Sequence, residues 1–223
     1  TKEAFENAIY VASAIGASSN CPPHLTAIAR HMGIDFGIDN WEKLGHDIPL
    51  LVNCQPGGEH LMESFFKAGG VPAIMQELLK NNKLNKKVMT VTGKTVEENL
   101  KTKIDVDQKV IKSFKNPLVK NAGFIVMKSN FFSSAVMKTS VISPEFRKRY
   151  LSNQKNPNVF EANAVVFEGP EDYRLRINDE HLKIDENSIL MIRGCGPVGY
   201  PGSGEVVNMQ PPDKLVKKGI NTL

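Results

Sequence analysis

The sequence predicts an α/β segment through about residue 110, followed by a β-rich, sandwich- or barrel-like segment over 111–223. Three observations predict it. Apolar residues recur at helical spacing through the first hundred residues, with short strand-like runs between them. Near residues 102–117 that periodicity fades into a lysine-rich stretch closed by Pro117. Beyond it come short apolar runs punctuated by glycine and proline. Neither half closes on itself. The first holds too few strands for a full sheet, and the second reaches Leu223 without a stop signal. The expected organisation is therefore the C-terminal part of an α/β domain (1–110) and the first part of a β-barrel-like domain (111–223).

Taken in order, Phe5, Ile9, Ala12 and Ile15 mark an amphipathic helix that stops at Gly16. A small polar loop, Gly16–Asn20, leads to a second helix. Pro22 and Pro23 suit its first turn and Gly33 its end, with Leu25, Ile28, Ala29 and Met32 as the expected buried stripe. Asp39 and Glu42 form a capping-box pattern around Trp41. Pro49–Val52 reads as a short buried strand, and Leu61, Met62, Phe65 and Phe66 as the apolar side of another helix. Gly69-Gly70 breaks that helix, and Pro72 begins one running through Leu79. Val88–Val91 is strand-like, and Thr95 with Glu98 caps one more helix. In the second half the strand candidates are Gly123–Lys128, Ser134–Thr139, Ala164–Phe167 and Ile189–Ile192.

Composition narrows the function classes. Of 223 residues, 41% are hydrophobic and 23% charged, which suits a globular core and argues against wholesale disorder. No run reaches the length of a membrane-spanning helix. Cys21, Cys54 and Cys195 form no CxxC pair, so a reducing compartment is expected, without a zinc ribbon or disulfide ladder. The net charge is +4, but residues 101–155 carry 12 basic and 3 acidic side chains. That middle segment reads either as a solvated linker with a lysine-blunted strand edge or as a surface for anionic ligands. It lacks the interleaved aromatics of a nucleic-acid reader.

Several constellations carry possible chemistry. Gly93-Lys94-Thr95 imitates the end of a phosphate loop, but Val88 stands where that loop needs its first glycine. His24 and His31 share a helix face two turns apart, a poor metal spacing. Two segments are denser. Gly16–Asn20 before a helix offers hydroxyls and backbone N–H groups to an anion, or simply caps the helix through Asn20. Arg193–Val207 contains a run rich in glycine and proline followed by Glu205, a hard-cation ligand type or else a surface glutamate after a wide turn.

The segments Ala14–Asn20 with His24-Leu25, Thr90–Thr95, Met137–Val141, Phe167–Asp172 and Gly196–Glu205 resemble, in order and spacing, the dehydratases that act on dihydroxy acids, 6-phosphogluconate and aldonic acids. The wording around Phe167–Tyr173 and Tyr200–Gly202 is similar to the sugar-acid, arabinonate/xylonate-type branch. The resemblance implies a hydro-lyase that converts a 2,3-dihydroxy acid to a 2-keto acid. It implies an iron–sulfur cluster (2Fe–2S or 4Fe–4S) held by three cysteines, and a Mg²⁺ held by carboxylates and a carbamylated lysine. Two such Lewis acids would polarise the two ends of one C–C bond.

Carried over residue by residue, the resemblance implies Glu205 as a Mg²⁺ ligand and Ser18, Ser19 and Asn20 as substrate-binding residues. Ala17 and Ser19 depart from the family loop. Cys21, Cys54 and Cys195 do not match the cluster positions, and no residue of this chain matches the base serine, expected beyond Leu223. The chain is thus expected to be an internal fragment, inactive alone. The complete enzyme is expected to be a homo-oligomer, dimer or tetramer, of the cytoplasm or mitochondrion, without nucleic-acid or membrane partners. The rival expectation is a truncated, non-catalytic paralogue serving as an anion-binding or interaction module.

Overall fold

The computed structural model describes residues 1–130, 134–152, 155, 159–195 and 209–220. The chain divides into two compact units, Thr1–Ile142 and Ser143–Leu223.

The first unit is mainly helical: α1 (Lys2–Ile15), α2 (Cys21–His31), α3 (Asp39–Gly45), α4 (Met62–Lys67), α5 (Gly70–Lys80) and α6 (Val96–Asn99). One antiparallel pair completes it, β1 (Phe124–Met127) with β2 (Ala135–Lys138), in a register that sets Phe124 opposite Lys138. Two apolar clusters form the core. One gathers Leu51, Val52, Ile74, Leu78 and Ile111; the other holds Ile9, Phe36, Trp41 and Phe124. Trp41 and Phe124 meet edge to face at 5.0 Å, which ties α3 to β1. Asn7 clamps α1 to the chain after α5: its Nδ2 donates to the Asn85 carbonyl (3.0 Å) and its Oδ1 accepts from the Asn85 amide (2.7 Å).

Residues 49–52 are buried as the sequence predicts, yet they form no strand, and neither do the buried Asn53 and Cys54 after them. They make isolated bridges, Leu50 to Val119 and Val52 to Ile111. Each backbone group finds a different partner: Leu50 N donates to Val119 O, Leu51 N to Ala14 O and Asn53 N to Val110 O, at 2.8–2.9 Å. These three amides are satisfied without a ladder. The lysine-rich stretch therefore is not a free linker. It docks through Val110 and Ile111, both buried, while Lys109, Lys115 and Lys120 stay exposed. Val110, Ile111 and Phe114 pack with the chain before them, and the first compact unit extends through Ile142.

Two expected apolar stripes are corrected. In α2, Ile28 and Met32 are exposed, and burial falls on Pro22, Thr26 and Ala29. In α4 only Phe65 is buried; Leu61, Met62 and Phe66 face outward. Both helices are short, so they contact the core along one narrow line rather than a broad face. Val88–Val91 runs into an exposed turn with a single bridge, Met89 to Thr95. Asp39 lies inside α3 and makes no cap, whereas Thr95 and Glu98 form both halves of a capping box.

The second unit contains α7 (Pro144–Tyr150), β3 (Asn163–Phe167), α8 (Pro170–Arg176), β4 (Ser188–Ile192) and α9 (Asp213–Val216). β3 and β4 are parallel, joined by a crossover that carries α8. Parallel neighbours cannot be joined by a hairpin, so the intervening chain must cross over a face of the sheet. Phe167, Tyr173, Ile184, Leu190 and Leu215 form its core. The class is mixed α/β. Among the described residues the strands make two separate pairs and close no barrel.

Candidate functional site

A cavity of about 400 Å³ opens in the first unit, between the α1–α2 loop, residues 52–56, α4 and the end of β2. Its floor is apolar, with Val52, Cys54 and Phe65 all buried. Its polar side chains are Ser18, Ser19, Gln55 and Lys138.

The loop has its shape for local reasons. Gly16 ends α1 with φ +63°, and its N–H bonds back to the last turn. A Cβ there would also lie 2.8 Å from Leu50 Cδ1, so both conformation and space require glycine. Ala17 N donates to Ala12 O (2.9 Å), completing the cap. Ser18 Oγ then accepts from Asn20 N (3.2 Å) and Asn20 Nδ2 (3.0 Å). Asn20 thus shapes the loop through Ser18 instead of capping α2 with its side chain.

The start of α2 is a weaker anion site than the sequence suggests. Cys21 N donates to Ser18 O and His24 N to Asn20 O. Pro22 and Pro23 have no N–H to offer. Among the described residues, the donors left facing outward are the amides and hydroxyls of Ser18 and Ser19.

Lys138 supplies the charge. β2 carries it to the cavity, where Nζ donates to the Gly16 carbonyl at 3.0 Å. Desolvation holds its ammonium below the usual lysine range, opposed by Cys21 nearby. Sequence reasoning did not select Lys138 as a site residue. The available signal was Met137–Val141, one of the segments that carry the family resemblance. What brings Lys138 to the loop is a contact across 122 positions, which no local pattern encodes.

The other candidates separate. Burial pushes both the Cys21 and Cys54 thiols up, and Cys54 Sγ donates to the Leu61 carbonyl at 3.5 Å. Cys195 belongs to the second unit. Among the described residues no three His, Cys, Asp or Glu side chains gather as a metal site. These residues do not by themselves fit an iron–sulfur cluster. Glu205 lies outside the described residues. His24 and His31 are exposed on α2. Gly93-Lys94-Thr95 is an exposed turn whose threonine caps α6, not a phosphate cradle. A wider concavity of about 840 Å³ beside Asn82–Met89 has its Lys86 already paired with Glu97 at 3.1 Å. No described helix is long and apolar enough to cross a membrane.

Comparison with known proteins adds to this geometry. The model of the dihydroxy-acid/6-phosphogluconate dehydratase N-terminal region matches residues 1–99, and that of the C-terminal region matches 109–223. The chain is 55% identical over 223 residues to the D-xylonate dehydratase of Caulobacter vibrioides, covering 100% of this chain and 37% of that protein. It is 42% identical over 221 residues to the L-arabinonate dehydratase of Rhizobium leguminosarum bv. trifolii, covering 99% and 36%. It is 34% identical over 224 residues to a dihydroxy-acid dehydratase of Lactococcus lactis, again covering 99% and 36%. The chain thus spans about 37% of the length of the curated relatives it matches.

Proposed function

The chain belongs to the dihydroxy-acid/6-phosphogluconate dehydratase family, and on that premise we propose that it is part of a hydro-lyase that removes water from a sugar acid or other 2,3-dihydroxy acid to give a 2-keto acid. The observation that supports this reading is the donor set at the cavity. Ser18 and Ser19 offer hydroxyls and amides, and Lys138 an ammonium, above an apolar floor. A polyhydroxylated acid is complementary to such a donor set: its hydroxyls pair with hydroxyls and amides, and its charge with a cation. Ser18 and Ser19 act as binding residues here, and Asn20 orders the loop through Ser18.

The proposal extends to the complete protein. It would carry the iron–sulfur cluster (2Fe–2S or 4Fe–4S) and Mg²⁺ that the family implies, with Glu205 as one metal ligand and the cluster cysteines and base serine outside this chain. When bound, such metals would supply Lewis acidity toward the leaving hydroxyl and the acid. The second half would complete a β-barrel-like domain from residue 111 onward, and the protein would assemble as a dimer or tetramer in the cytoplasm or a mitochondrion. The chain alone would be inactive. No specific observation favours the binding-module alternative.

The test is turnover by the full-length protein. D-xylonate and L-arabinonate should each be assayed for 2-keto acid formation, and at least one should be converted. Glu205→Gln should nearly abolish conversion and weaken its Mg²⁺ dependence, because a carboxylate that binds hard cations loses its charge but keeps its shape. Absence of keto acid from every aldonate tried would reject the function, and full activity of Glu205→Gln would reject the ligand assignment.

A further inference from the structure

Lys138 is a cation in search of a counter-charge. It is half-buried at the cavity, and among the described residues its Nζ makes one hydrogen bond, to the neutral carbonyl of Gly16. Among the described residues no carboxylate forms an ion pair with it, whereas Lys67, Lys86 and Lys128 each have one. Cys21 is the titratable group that faces it, and burial keeps that thiol protonated. An ammonium has three donors, so two remain after Gly16. Taking a cation out of water is unfavourable unless an anion meets it. The neighbouring donors, Ser18 and Ser19, line the same cavity.

We infer that Lys138 binds the carboxylate of the acid substrate, and that the Gly16–Lys138 bond holds the ammonium and the Ser18–Ser19 loop in one fixed arrangement. This rests on the sugar-acid reading above and assigns one of its contacts. A carboxylate has two oxygens, so this contact leaves the second free for another partner. Geometry supports the role further. Lys138 sits at the end of β2, opposite the fully buried Phe124, so its backbone is anchored by the core while its side chain reaches the loop. Rigid placement of this kind lets a charged group bind without ordering its own chain first.

The experiment measures D-xylonate binding to the full-length protein by calorimetry, and turnover in parallel, for the wild type, Lys138→Met and Lys138→Arg. Loss of a charge-assisted contact should weaken D-xylonate binding about 10- to 100-fold in Lys138→Met. The KM should rise by a similar factor, with kcat changed much less. Lys138→Arg should recover most of the affinity, because it keeps the charge. In the wild type, affinity should fall as the pH rises through a midpoint below the ordinary lysine value of 10.5. In Lys138→Arg that alkaline loss should move upward.

D-xylonate affinity within twofold of wild type in Lys138→Met would overturn the inference. So would equal weakening by Met and Arg, which marks loss of loop shape rather than loss of charge. If Lys138→Met does not fold, the Arg variant and the wild-type pH profile still decide. Lys138-dependent D-xylonate binding without turnover would sink the dehydratase reading alone. Normal turnover with an unmoved KM would sink this inference alone.

Discussion

Substituting Gly123 by alanine should be the most damaging small change in the first unit. Gly123 lies where the chain enters β1 and crosses the end of α3. A Cβ there would sit 1.9 Å from the Gly45 carbonyl oxygen, 2.5 Å from its carbon and 3.2 Å from His46 Cα. Those are backbone atoms, so no rotamer change relieves the clash. To restore even a 3.0 Å contact the two segments must part by about 1 Å. Such a displacement strains three hydrogen bonds: Gly123 N to His46 O (3.3 Å), and Thr139 N (3.1 Å) and Oγ1 (2.8 Å) to Gly123 O. It also loosens the Trp41–Phe124 pair.

Overpacking of this kind is worth about 1–3 kcal/mol, and each weakened bond about 0.5–1.5 kcal/mol. The expected loss is therefore about 2.5–7.5 kcal/mol, a large part of a typical domain's 5–15 kcal/mol. Gly33→Ala is the control. Its φ is +67° and a Cβ there would meet nothing within 4 Å, so only the left-handed backbone is penalised, by about 1–2 kcal/mol. Urea unfolding read by fluorescence suits both, because Trp41 is the single tryptophan and is wholly buried. Gly123→Ala should shift the midpoint further than Gly33→Ala. A midpoint unchanged from wild type, or a smaller shift than the control's, would refute the steric argument. Lys138 stands opposite Phe124, so the same substitution should also weaken acid binding at the cavity.

Other expected outcomes follow from local geometry. Ser18→Ala removes the acceptor of both Asn20 bonds, so it should raise the KM of the full-length protein several-fold, with little change in melting temperature. Thr95→Ala removes one half of a capping box and should destabilise the first unit by about 1 kcal/mol, read by the same urea titration. The Arg176 side chain, and secondarily the Glu168 amide, hold the Asp172 carboxyl down at about 2 against an ordinary 3.8. That carboxylate therefore stabilises the second unit above pH 3.8, and the contribution is lost as pH falls through about 2. Hydrogen exchange of residues 163–192 should loosen over that window, and Asp172→Asn should flatten the dependence. The exposed Gly93-Lys94-Thr95 turn should bind neither ATP nor GTP, and micromolar affinity abolished by Lys94→Ala would contradict its role as a cap.

Local chemistry in the sequence determined much of this protein. Gly16 after an apolar periodicity stops α1, and Pro22-Pro23 opens α2. Thr95 and Glu98 cap α6, and four short apolar runs become β1 to β4. The motif-bearing loop Gly16–Asn20 was also legible, because its small residues and glycine have few other uses before a helix. These features depend on neighbours within a few positions, whose interactions survive in any fold.

Tertiary structure alone decided the rest. Period and hydropathy in residues 50–54 could not reveal that their amides reach Val119, Ala14 and Val110 singly, since those partners come from distant segments. Nor could they show which way β3 pairs with β4, because direction is set by the crossover between them. Burial of Ile28, Met32 and Phe66 failed for the same reason: an apolar face is buried only where another element arrives to cover it. Lys138 is the clearest case. As a letter it is one more lysine in a basic segment. It becomes a cation at a cavity, without an ion pair among the described residues, only when β2, anchored opposite Phe124, crosses to the end of α1.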